Sequence, residues 1–240
     1  MCILCICFLY TKLLTWTNGI YILERMYRIE TEVLGKKVHR VLRTMIINGA
    51  LKPGQKLIQD DLAEQLGVSR TPLLAAFSKL EQENLVITIP RRGAYIREYS
   101  EKELVDLCKI RMRLESLGAA EAALSKTKDF SHLEFILVEF DKAAKKKNES
   151  LVKQLDYDFH MEILRIGGNK FLYDMLFSHI IIVLNMSGLL MNYLEKSRTE
   201  HHEILEAIKA GDSEKAETRM FKHTSNPIQY LNSLKTGNKP

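Results

Sequence analysis

Cysteine is scarce in this 240-residue chain and poorly placed for cross-linking. Of the four cysteines, Cys2, Cys5 and Cys7 crowd the first seven residues, and Cys108 stands apart. That distribution excludes a spread-out disulfide framework and suits a reducing compartment, so a cytoplasmic protein is expected. A metal clip of Cys2, Cys5 and Cys7 lacks a paired fourth ligand at a suitable spacing. Glycine and proline are also few, 12 and 5, and 46% hydrophobic with 27% charged residues is the composition of a globular protein. No secretory leader is legible. The apolar opening MCILCICFLYTKLLTWTNGIYILER has neither basic residues ahead of its apolar run nor small residues at a cleavage site. Thr11 and Lys12 break the run, which is short for a membrane span. Residues 1–25 are expected to be an extension outside the fold, with a membrane anchor as the alternative.

The formal charge of +5 is modest but unevenly spread. Lys and Arg exceed Asp and Glu by four within residues 26–98, whereas the two signs balance across 99–240. A small basic segment beside a neutral body suits a polyanionic partner, although a surplus of this size proves little alone. Local patterning says more. Leu34, Val38, Val41, Leu42, Met45 and Ile46 fall on a helical stripe that stops at Gly49. LKPGQKL reads as a Pro-Gly turn, and QDDLAEQLG as a short helix with acidic residues in its first turn. In VSRTPLLAAFSKLE, Ser69 is placed to cap a helix, Pro72 sits in the first turn, and Leu73, Ala76, Phe77 and Leu80 recur at helical spacing. Two β-rich stretches, Leu85–Ile89 and Ala94–Arg97, then flank Pro90, Arg91, Arg92 and Gly93, as in a hairpin with a basic tip. Helix, helix, tight turn, helix and hairpin is the order of a winged helix-turn-helix.

REYSEKE follows as a linker in which Ser100 and Glu103 form a capping box. Beyond it no strand run and no internal repeat is legible. Helices are expected over 101–125, 130–147, 149–166, 169–193, 196–210 and 213–233. The fold class is therefore mainly α: a winged helix-turn-helix over residues 26–98 and an all-α antiparallel helical bundle over 99–240.

Two constellations carry chemistry. A helix that enters the major groove reads bases with its N-terminal residues, here Ser69, Arg70 and Thr71. Arg70 can fork onto guanine or a phosphate, and the hydroxyls reach phosphate oxygens. Arg91 and Arg92 can reach phosphates or a minor groove, while Gly93 permits close backbone approach. The bland alternative is a capped core helix with one exposed arginine. In LDYDFHMEIL, Asp156 and His160 stand at i and i+4 on one helical face, and His201 and His223 lie on the next helices. One carboxylate and three imidazoles suit a divalent metal such as Zn, Ni or Mn. Taken singly, each reads equally as a surface ion pair or an ordinary polar residue.

The skeleton GVSRTP…L…L…LV…P.RGA.I, within residues 34–98, resembles the DNA-binding domain of the GntR family of bacterial transcription regulators. The resemblance implies a dimer on a palindromic operator. Three positions of the opening helices depart from the family pattern. Leu74 and Ala75 stand where Arg and Glu are usual, and Asp60 where Arg is frequent, so the usual operator sequence does not carry over. DYDFHMEIL…GGN, EHHEILEAIKAGD and A…RMFKH resemble the ligand-binding FCD domain of the FadR subfamily. That resemblance implies a metal held by Asp156, His160, His201 and His223, with His202 as the neighbour to be told apart from His201. In KIRMRLESLGAAEAA it places Arg111 toward the cavity, where a guanidinium suits a small carboxylate effector. A surface pair of Arg111 with Glu115 is the alternative, and Arg113 is the solvent-facing neighbour. The implied function is an effector-controlled, homodimeric DNA-binding regulator with no membrane partner. A metal-dependent enzyme using the Asp/His3 set is the competing reading.

Overall fold

Val38, Leu42, Ile46 and Ile47 are buried along one face of the first helix, α1 (34–47), as the sequence stripe predicts. Leu34 and Val41, expected on the same stripe, are 39% and 43% exposed. The computed structural model describes residues 34–127, 129–184 and 189–236; the extension expected at residues 1–25 lies outside them. After α1 come β1 (Lys56–Leu57), α2 (Gln59–Leu66), α3 (Arg70–Gln82), β2 (Val86–Ile89) and β3 (Gly93–Ile96). A left-handed turn at Gly67 separates α2 from α3, and α3 buries Leu73, Ala76, Phe77 and Leu80. The hairpin of β2 and β3 pairs Val86 with Ile96 and Ile89 with Gly93. Its outer partner β1 falls inside LKPGQKL, read above only as a turn. Two residues are too few to show a strand period, so β1 was not legible. The sheet order is β1-β3-β2.

The helical remainder comprises α4 (Glu101–Leu124), α5 (Ser131–Lys145), α6 (Glu149–Gly167), α7 (Lys170–Leu184), α8 (Leu189–Asn192), α9 (Leu194–Lys209), α10 (Ser213–Thr224) and α11 (Asn226–Thr236). The expected capping box is formed: the Ser100 hydroxyl accepts from the Glu103 amide, and the Glu103 carboxylate accepts from the Ser100 amide. Asn148 and Asp212 cap α6 and α10 by a single bond each, their side chains accepting from the Leu151 and Lys215 amides. The helix expected over 213–233 is two helices: Pro227 brings no amide hydrogen to continue the ladder of α10 and sits instead in the first turn of α11, where none is needed. Of the helix expected over 169–193, α7 and α8 cover the described parts, and residues 185–188 lie outside the described residues.

The described residues form two compact units, one from residues 34–41 and Ile58–Lys79, the other from Leu42–Leu57 and the described residues from Leu80 onward. Within the second, α4 packs most extensively on α10, and also on α6, α7 and α9. Its backbone approaches α6 closely: a Cβ on Gly167 would sit 3.0 Å from the Gly118 carbonyl oxygen, so a side chain there would need the α4 backbone to give by a few tenths of an ångström. Arg43, from the last turns of α1, is 4% exposed. Its Nη2 donates to the Phe177 carbonyl at 2.5 Å and to the Tyr157 hydroxyl at 3.2 Å. The guanidinium lies 3.3 Å from the Phe177 ring centre, and its Nε is 3.6 Å from Glu83. No helix among the described residues is long and apolar enough to cross a membrane.

Candidate metal centre and nucleic-acid interface

Three helices bring Asp156, His160, His201 and His223 together in the core. Asp156 and His160 project from one face of α6, His201 from α9 and His223 from α10. All four are buried, and one ligand atom from each lies within 4.8 Å of the others. His201 Nε2 is 3.1 Å from His223 Nε2, which is 3.3 Å from His160 Nε2. Asp156 Oδ1 lies 3.5 Å from His201 Nε2, and Oδ2 is 3.8 Å from His160 Nε2. Phe159 stacks on the His201 ring at 4.1 Å between centres, and Phe140 meets it edge-on at 5.0 Å. His202 points the other way: it is exposed and lies 3.1 Å from Asp141.

The outer groups decide which imidazole nitrogens face inward. Glu200 stands 3.0 Å from His223 Nδ1 and also accepts from the Asn226 amide at 2.6 Å. Glu115 lies 2.5 Å from His160 Nδ1. A carboxylate at Nδ1 fixes the proton there and leaves the Nε2 lone pair for a cation. Burial, with the neighbouring His223 and His160, holds His201 well below the usual imidazole range. Burial also lowers His223, although Glu200 opposes it. The rings are therefore favoured in the neutral form that binds metals. Burial pushes the Asp156 carboxyl up despite His160 and His223. Burial would do the same to Glu115, but Arg111 and His160 outweigh it and hold that group at about 2.

These residues fit a divalent cation. Ligand bonds of about 2.0–2.1 Å in a tetrahedron imply ligand spacings of about 3.3 Å, close to the 3.1–3.8 Å contacts above. Asp156 Oδ1 is buried without a hydrogen-bond partner, and neutral Nε2 atoms facing one another cannot all donate. Arg111 is buried at 4% exposure and bonds through Nε to the buried Glu115. The surface pair considered from sequence is thus a core pair, one link from His160, while Arg113 is exposed over the Phe221 ring. Glu200, Asn226 and Tyr193 were not anticipated. Burial raises the Tyr193 hydroxyl, with Asp156 and Arg111 among its charged neighbours. Only Glu200 left a sequence signal, an acid adjoining His201 in TEHHE. A cavity of about 950 Å³ lies elsewhere, lined by Asn48, Arg97, Tyr99, Glu149 and Lys153 among others, and by none of the four cluster residues.

The other constellation is exposed. Ser69, Arg70 and Thr71 lie open at the start of α3, and Arg91 and Arg92 at the tip of the hairpin. Gly93 adopts φ +97°, within the left-handed region that favours glycine. Leu74, one turn beyond Arg70, is 47% exposed, and Ala75 is exposed beside it. Arg70 is engaged with Asp60 of α2.

Residues 34–96 match the family described as bacterial regulatory proteins, gntR family, and residues 106–226, half of the chain, match the FCD domain. The chain belongs to the GntR family and carries an FCD domain. This GntR-family chain is 29% identical over 198 residues to the uncharacterized HTH-type transcriptional regulator YdhC of Bacillus subtilis, covering 79% of the chain and 87% of that protein. It is 24% identical to the HTH-type transcriptional repressor RspR of Escherichia coli, across 87% of the chain and 93% of the repressor. Among solved structures, E. coli McbR/YncC superposes with a TM-score of 0.76 at 25% identity, covering 84% of the chain and 98% of McbR. The protein is a DNA-binding transcription regulator with a winged helix-turn-helix and a helical FCD domain, not an enzyme.

Proposed function

We propose that this regulator binds operator DNA as a homodimer, under control of a small carboxylate effector and a divalent metal in the FCD domain. The observation that carries the reading is the buried convergence of one carboxylate and three imidazoles, with two outer carboxylates on the imidazole Nδ1 atoms. Asp156, His160, His201 and His223 would hold the cation, and Zn, Ni and Mn all suit that donor set. Once bound, the metal supplies a Lewis-acid anchor for an oxygen ligand. Arg111 is the cation assigned to the effector carboxylate, with Glu115 as the group that keeps it ionised and oriented. On the DNA side, Ser69, Arg70, Thr71, Arg91, Arg92 and Gly93 are assigned to the operator, within a binding domain of residues 26–98 and ahead of a regulatory domain of 99–240. A reducing cytoplasmic setting accords with the cysteine distribution.

An apolar stripe supports the homodimer. Ile110, Leu117 and Leu124 recur at heptad spacing on α4 and are 54%, 44% and 70% exposed. Phe171 and Met175 on α7, which packs against α4, are 84% and 55% exposed. A second copy covers such a face with self-complementary symmetry. The test is a gel-shift titration of the full chain with DNA from upstream of its own gene. It is run on protein as isolated and after chelation, with metal content measured. Salt-sensitive, sequence-selective binding that changes on chelation is expected. Selective binding identical in both samples, with no metal in either, would sink metal control.

A further inference from the structure

Arg70 does not project freely from the head of α3. Its Nε donates to Asp60 Oδ1 at 2.7 Å, and its Nη2 lies 2.6 Å from the same oxygen. Asp60 belongs to α2, and the two side chains are 66% and 65% exposed, so the pair lies on the surface where a duplex would dock. Exposed ion pairs contribute little to folding, which leaves orientation as the consequence of this one. The contact occupies Nε–H and one Nη2 hydrogen. Both Nη1 hydrogens and the second on Nη2 remain for another acceptor pair. That remaining edge is the fork that matches guanine O6 and N7.

The surroundings make this orientation matter. From Gln59 to Gln82, spanning α2 and α3, the only cations are Arg70 and Lys79, against Asp60, Asp61, Glu64 and Glu81. A helix pair with surplus negative charge gains little from the phosphate backbone, which rewards cations indiscriminately. Leu74 and Ala75 add no hydrogen-bonding group one turn further on. Base reading by α3 thus rests on a single guanidinium.

From this geometry we infer that Asp60 is a specificity-determining positioning residue: it holds Arg70 by its side edge and turns the guanidinium fork toward a guanine rather than a phosphate. Resting on the operator-binding reading above, the inference assigns Asp60 no contact with DNA. The carboxylate fixes a long side chain in advance and repels the phosphate that would otherwise capture it, so discrimination is gained and non-selective affinity is lost.

The test uses the full chain and a randomised DNA duplex library. The wild type selects a preferred sequence, and each guanine in it is then replaced in turn. Asp60→Asn and Arg70→Ala are each expected to lower the preference for the same guanine by about tenfold. The double variant is expected to lose no more than either alone, since the two side chains act as one unit. The idea is overturned if Asp60→Asn keeps the guanine preference and tightens binding to selected and unselected duplexes alike. In that case the slope of log affinity against log salt would steepen by about 0.9, the signature of one added phosphate contact. A wild type that enriches no sequence overturns the operator reading, and this inference falls with it. Unfolding curves on both variants confirm that the exposed substitutions leave the fold intact.

Discussion

The two ends of this regulator solve the problem of placing polar groups in opposite ways. Around Asp156, His160, His201 and His223, all four side chains are buried and nearly every one is braced by a further charge or ring: Glu115 and Arg111 behind His160, Glu200 and Asn226 behind His223, Phe159 and Phe140 against His201. At the head of α3, by contrast, Ser69, Arg70 and Thr71 stand in solvent, and one exposed carboxylate braces Arg70. Low dielectric makes an unpaired polar atom such as Asp156 Oδ1 expensive, so a buried set of this kind calls for a partner. At the surface, water substitutes for missing partners, and a single side chain can change without penalty to the fold. Departures from the family pattern fall at the exposed end, at Asp60, Leu74 and Ala75, while the Asp/His quartet is intact.

Substitutions can sharpen or break that contrast. The largest effect is expected from Glu115→Gln, which leaves Arg111 charged in the core without its counter-ion; chemical unfolding should register a loss of about 3–5 kcal/mol. A loss below about 1 kcal/mol would mean that the pair is not confined as its burial implies. Next, His201→Ala should abolish metal retention and cost about 2–4 kcal/mol through the lost ring packing. His202→Ala, acting on an exposed side chain, should change neither. Equal metal loss in both variants would break the distinction between the inward and outward histidine.

Acidity should act on the buried end of chelated protein as well. The imidazoles of His201 and His223 sit below their ordinary range when folded, so the unfolded chain binds more protons below about pH 6.5. Stability from these two groups is present above that pH and falls as pH is lowered, by at most about 1.4 kcal/mol per pH unit for each. Asp156, shifted upward, works in the opposite direction: its contribution is present at low pH and fades as pH rises through its folded-state value. Glu115, held at about 2, adds a further loss only below about pH 4.5. Melting temperatures between pH 7.5 and 5.5 should therefore fall, and a flat profile would contradict the assigned shifts. The smallest effect is reserved for the exposed end. Leu74→Arg should leave melting unchanged and strengthen DNA binding, or widen the range of duplexes bound, by severalfold; unchanged affinity would show that this turn faces away from the groove.

How much was legible in sequence follows the same division. Periodicity located α1, α2, α3 and most of the helical body, and the i, i+4 spacing of Asp156 and His160 placed both on one face. Which partners stand behind a ligand is a tertiary fact. Glu115 lies on α4 and Asn226 on α11, and no local pattern links them to His160 or Glu200. Arg111 with Glu115 at i, i+4 is the same pattern as any surface pair, and only packing against α10 and α6 turned it inward. Likewise, Leu34 and Val41 fit the apolar period of α1 but lie at the margin of its buried stripe. Family resemblance supplied the quartet as a set, and geometry supplied the choice of His201 over His202 as the inward ring.

Arg43 bears on how this protein can be cut and recombined. Its charge is sequestered by the Phe177 carbonyl and ring and by Tyr157, the residue adjoining Asp156 on α6. The last turns of α1 accordingly belong to the same compact unit as the helical body. A fragment ending at residue 98 would carry the guanidinium while leaving those partners behind, exposing a cation evolved for a dry niche. Chimeras that graft this DNA-binding segment onto another regulatory bundle therefore need a matching aromatic and carbonyl receptor, or a polar substitute at position 43.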